Sequence, residues 1–143
     1  MAEPRILIVQ ARFYADIADE LVRGATAVLE AAAASIQAVA VPGAFEIPAA
    51  IAMAEARAPF DGYVALGCVI RGETSHYDYV CAESARKLQD LACDHALALG
   101  YGILTCETRD QAWARASVAE KDKGGDAARA CLDMIAVRRA LVR

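Results

Sequence analysis

Residues 62–80 read GYVALGCVIRGETSHYDYV. The run 62–70 is apolar without a charged break, as expected of a strand buried on both faces of a sheet. Arg71 and Gly72 end it. From Tyr77 onward, Val80, Leu88, Leu91, Ala92 and Leu99 recur at helical spacing, which predicts a long helix over 77–99 with Gly100 as its stop. A buried strand that passes through a short polar loop into an amphipathic helix is the building unit of a parallel sheet covered by helices.

The same unit repeats on either side. RILIVQA (5–11) predicts a strand, and residues 15–34 a helix with Ile17, Leu21, Ala25, Val28 and Leu29 on one side. Asp16, Asp19, Glu20 and Arg23 lie opposite them. SIQAVAV (35–41) is a second strand, stopped by Pro42–Gly43, and 46–57 a helix with Pro48 in its first turn. YGILTCE (101–107) is the fourth strand. A short helix over 108–116 with Thr108 as N-cap, a Lys-rich connector and a helix over 124–140 complete the chain. The expected fold class is α/β, a three-layer α/β/α sandwich on a four-stranded, mainly parallel sheet. With 143 residues and no repeat or linker, residues 1–143 read as one domain.

Composition narrows the function. The formal charge is −4, and no basic cluster dominates a face, which argues against nucleic acid. No apolar stretch reaches the ~18 residues of a membrane span, and no secretory leader is visible. Five cysteines, at 68, 81, 93, 106 and 131, have neither CxxC nor zinc spacing. They read as buried thiols of a cytoplasmic protein, with no metal. Apolar residues make up 57% of the chain, enough to suggest that other subunits cover part of the surface.

In such sheets ligands bind beyond the carboxyl ends of the strands, which points to loops 11–14, 42–46, 71–77 and 107–110. Phe13 could be a core ring or a platform for a flat heterocycle. In VPGAFEIP (41–48), Gly43 allows close backbone approach, while Glu46 could simply complement a helix dipole. A helix starting near Ser75 leaves the amides of Gly72, Glu73 and Thr74 to bind an anion such as phosphate, with the Glu73 side chain turned away. His76 could be an ordinary surface histidine; the sharper reading is a proton carrier, because imidazole titrates near neutrality. His95, late in a helix, has a plain structural reading. Arg115 would grip phosphate with its planar fork if one lay nearby. No nucleotide-binding loop motif is present.

Taken together, ARF (11–13), VPGAFEIP (41–48), GCVIRGETSHYDYV (67–80), YGILTCET (101–108), QAWARA (111–116) and Lys123–Gly124 resemble the 6,7-dimethyl-8-ribityllumazine synthase family across almost the whole chain. The resemblance implies a flavodoxin-like fold. It implies condensation of 5-amino-6-(D-ribitylamino)uracil with 3,4-dihydroxy-2-butanone 4-phosphate, the penultimate step of riboflavin biosynthesis, without metal or organic cofactor. By motif position, Phe13 would stack on the pyrimidine, and Ala44, Phe45 and Glu46 would line the ribityl and pyrimidine site. Cys68, Val69 and Ile70 would contact the pyrimidine edge. Glu73 and Thr74 would bind phosphate with Arg115, and His76 would shuttle protons. Tyr101, Arg115 and Lys123 would come from a neighbouring subunit. The family unit is a ring of five, alone, paired, or assembled into a hollow shell.

Tyr14 stands where the family commonly has Asn, Tyr101 where Phe is commoner, and 117–125 departs from the usual connector. The N-terminal arm that pairs with a neighbour's sheet is short. Two related readings share the scaffold: an archaeal-type riboflavin synthase and a non-catalytic flavin or lumazine binder. Phe13 with His76 disfavours the first, and His76 with Arg115 the second. A phosphorylatable receiver domain is set aside, since its acidic positions are Gln10–Arg12 and Val69–Arg71 here.

Overall fold

The computed structural model describes residues 3–141. Its strands are β1 (Arg5–Ala11), β2 (Ser35–Val41), β3 (Gly62–Ile70) and β4 (Leu99–Cys106). Its helices are α1 (Ala15–Ala31), α2 (Ile47–Arg57), α3 (His76–His95), α4 (Arg109–Ala116) and α5 (Lys123–Leu141), with one 3-10 turn at Ala44–Glu46. The strands pair in the order β2-β1-β3-β4, and every pairing is parallel.

Alternation along the strands sorts side chains into two cores. Ile6 and Ile8 of β1 and Val64, Leu66 and Cys68 of β3 pack with Ile17, Leu21 and Leu29 of α1 and with the alanines of α4 and α5. Leu7, Val9 and Ala11 of β1 with Tyr63 and Ala65 of β3 meet Ile47 and Ile51 of α2 and Val80 and Leu88 of α3. This is the expected three-layer, flavodoxin-like sandwich. No helix among the described residues is long and apolar enough to cross a membrane.

The boundaries of α3 and β4 correct the sequence reading. The helix ends at His95, and Ala96 takes the left-handed conformation at its C-cap, with φ 53° and ψ 47°. An alanine does there what Gly100 was expected to do. Leu99 and Gly100 belong to β4 instead. Gly100 is required by contact: a β-carbon there would collide with the Ala127 carbonyl oxygen of α5. Likewise α1 stops at Ala31, short of the expected 34. Thr108 is the N-cap of α4 as expected, its hydroxyl accepting from the Gln111 amide at 3.2 Å.

Candidate active site

The sheet order reverses direction between β1 and β3, so the loops leaving these strands diverge and open a cleft. A cavity of about 690 Å³ lies there. Phe13, Ala44, Phe45, Glu46, Cys68, Val69, Ile70, Thr74 and His76 line it together. Four separate stretches of sequence thus converge at one end of the sheet.

Each wall has a local cause. Phe13 follows β1 directly and is 74% exposed, so it is no core ring. Phe45, 57% exposed, projects from the 3-10 turn, while Ala44 beside it is buried. The Glu46 carboxylate accepts the Gly43 amide at 3.1 Å, which closes that turn on itself. Cys68 is buried, and its thiol is pushed up to about 12, by burial first and the nearby Cys106 second. It is held as a neutral wall group, not a nucleophile.

Gly72 and Thr74 of the loop 71–75 complete the lining. None of the Gly72, Glu73 and Thr74 amides donates a hydrogen bond among the described residues. The loop then enters α3, whose dipole adds to these free donors. No atom lies within 4 Å of a β-carbon at Gly72, so packing does not demand glycine there. The Thr74 hydroxyl accepts the His76 amide at 3.3 Å. Glu73 lies on the loop between Gly72 and Thr74, outside the cavity's lining. Arg71 fastens the loop: it pairs with Glu107 at 2.9 Å and Asp78 at 3.4 Å, and its guanidinium lies 4.3 Å from the centroid of the Tyr77 ring.

Tyr101, Arg115 and Lys123 do not join this cleft. They line a second cavity of about 430 Å³, on β4, α4 and α5. β4 is an edge strand, so this cavity faces outward from the sheet. Tyr101 is 44% exposed there. Arg115 donates to the Gln111 carbonyl at 3.0 Å and forms no ion pair among the described residues. Lys123 opens α5 and lies 3.5 Å from Asp126. The altered connector sets that start, since Asp122 caps α5 by accepting the Gly125 amide at 3.2 Å. The chain therefore carries two separate groups of candidate residues, one aromatic with a histidine and free amides, the other cationic.

Sequence reasoning missed Tyr14, Tyr77, Tyr79 and Val80 as wall residues. A signal existed for the last two. Tyr79 and Val80 fall three and four residues after His76 and share its helix face. Among the described residues no cluster of His, Cys, Asp and Glu could hold a metal ion.

The family profile described as 6,7-dimethyl-8-ribityllumazine synthase matches residues 3–139. A protein of Rhizobium meliloti named 6,7-dimethyl-8-ribityllumazine synthase 1 is 60% identical over 95% of this chain and 92% of its own length. The 6,7-dimethyl-8-ribityllumazine synthase of Agrobacterium fabrum is 55% identical over 99% of each chain. That of Methylorubrum populi is 55% identical over 98% of this chain and 86% of its own.

Proposed function

The chain belongs to the 6,7-dimethyl-8-ribityllumazine synthase family, and we propose that its two half-sites combine between copies to catalyse the reaction that name describes. It is a transferase of riboflavin biosynthesis. It condenses 5-amino-6-(D-ribitylamino)uracil with 3,4-dihydroxy-2-butanone 4-phosphate to give the lumazine, phosphate and water. One observation carries the shared-site reading: the residues expected to act together line two cavities with no residue in common.

In this account Phe13 stacks on the pyrimidine. Ala44, Phe45 and Glu46 receive the ribityl chain, and Cys68, Val69 and Ile70 meet the ring edge. The Gly72–Thr74 loop binds phosphate with the Thr74 hydroxyl and the Glu73 amide. A neighbouring copy supplies Arg115, Tyr101 and Lys123. The amine attacks the ketone and loses water to form a Schiff base. Phosphate then leaves, and the second amine closes the ring with loss of water. His76 carries protons for these steps beside the leaving group. Most of the rate comes from holding two substrates together, which is worth up to roughly 7–11 kcal/mol when orientation is good.

The whole chain acts as one domain in a ring of five or a multiple of it, in the cytoplasm. The test is the rate of lumazine formation, followed by near-ultraviolet absorbance against heat-inactivated protein. A rate well above that baseline is expected. A rate at baseline, with tight binding of the pyrimidine, would mean a binding protein.

A further inference from the structure

Phe13 stands almost clear of its own chain. Among the described residues the one ring it touches is that of Tyr14, edge-on, with centroids 4.9 Å apart and planes at 81°. Tyr14 is anchored on three sides. Its backbone is the N-cap of α1, and its carbonyl accepts the Ala18 amide at 2.9 Å. Its ring is half-buried against the core beneath α1. The Arg109 guanidinium of α4 lies 5.9 Å from its centroid, and Asp16, in the first turn of α1, holds Arg109 in an ion pair. Both Phe13 and Tyr14 line the cleft.

We propose that Tyr14 is a positioning residue: in edge-to-face contact with Phe13 and with Arg109 beside its ring, it fixes the Phe13 ring in the orientation that receives the pyrimidine. The inference rests on the reading of Phe13 as the stacking platform. A ring so exposed would otherwise sample several rotamers and have to be ordered when substrate arrives. The edge-to-face contact orders it beforehand, because the positive rim of one ring meets the negative face of the other. The contact belongs to the ring, not to the hydroxyl. Burial, and after it the nearby Cys68, raises the Tyr14 phenol above its ordinary value, so the ring stays neutral through the working pH range. Tyr14 acts through the Phe13 ring, the platform for the pyrimidine, so its effect falls on that substrate.

Steady-state kinetics on the full-length enzyme, each substrate varied in turn, test this. Tyr14→Ala should raise KM for the ribitylaminouracil about three- to tenfold, the range of an aromatic pair. KM for the butanone phosphate and kcat should stay within about twofold. Tyr14→Phe should restore the pyrimidine KM. In a Phe13→Ala background, Tyr14→Ala should add nothing further. Tyr14→Leu, which keeps apolar bulk without a ring, should repeat the selective loss and guards against a misfolded alanine variant. An unchanged pyrimidine KM in Tyr14→Ala would overturn the proposal. So would parallel changes for both substrates, a Tyr14→Phe enzyme as poor as the alanine variant, or full additivity with Phe13→Ala. Phe13→Ala with an unaltered pyrimidine KM would instead remove the platform reading itself.

Discussion

His76 occupies the first position of α3 and lines the same cavity as Gly72 and Thr74, whose amides donate no hydrogen bond among the described residues. On the proposed reading, a proton carrier beside the 72–74 loop acts where the leaving group departs. Such a group typically contributes roughly 10²–10⁴-fold, so His76→Ala should lower kcat within that range yet stay above the uncatalysed baseline. An unaltered kcat would remove His76 from the mechanism. On the proposed reading Arg115 contributes by binding. A charge-assisted hydrogen bond is worth about 1.5–3 kcal/mol, so Arg115→Ala should raise KM for the butanone phosphate at least about tenfold. Unchanged saturation by that substrate would count against its phosphate role. That Phe13, Phe45 and His76 line the cleft was legible because each sits just past a strand or at a helix start. The place of Tyr14 was not, because the proposed role involves Arg109, 95 positions further along the chain.

The elements were legible where hydrophobic period and punctuation agree. β1, β2 and β3 match the sequence reading at both ends, since continuous apolar runs stop at charged or Gly-Pro turns. The end of α3 misled because Gly100 looks like a helix stop, whereas its missing side chain makes room for α5. Burial decided that position, and a local pattern carries no trace of a helix packed from 27 residues away. Gly100→Ala should therefore cost about 1–3 kcal/mol or more through forced repacking of β4 against α5. Thr108→Ala, which removes only the α4 cap, should cost about 1 kcal/mol. Chemical denaturation of the two variants orders them, and a Gly100→Ala protein as stable as the parent would refute the packing argument.

A pH dependence belongs at this scale too. Glu20 of α1 accepts the Val118 amide at 2.9 Å and pairs with Arg23 at 2.9 Å, tying α1 to the segment after α4. Arg23 first, and the Val118 amide second, hold its carboxyl below the ordinary 4.5. The folded pKa is depressed, so the stabilisation is complete above the unfolded value and lost as pH falls through the folded one. The Tm gap between wild type and Glu20→Gln should be open at about pH 7 and close as pH drops below about 4.5. A gap independent of pH would show that the charge is not what stabilises.

At the scale of the whole molecule, the two groups of candidate residues lie in separate cavities. Tyr101, Arg115 and Lys123 line an outward cavity at the β4 edge, while Phe13 and His76 line the cleft between β1 and β3. A ring built by one repeated, head-to-tail contact would bring each cationic half against the aromatic half of the next copy. Composition had pointed to subunit contacts, and family resemblance to which residues cross them. Neither could display the division, because spacing along a chain does not reveal which way a cavity opens.

The most direct test of the shared site is complementation between two damaged proteins. His76→Ala damages one half-site and Arg115→Ala the other. The two variants would be unfolded together, mixed in equal amounts, refolded, and assayed at low butanone phosphate beside each variant refolded alone. If neighbouring copies complete the site, random assortment restores about one site in four to wild-type composition, and the mixture exceeds the mean of the two separate preparations. If each chain holds its whole site, no mixed assembly contains an intact one. Activity equal to that mean would then contradict the account.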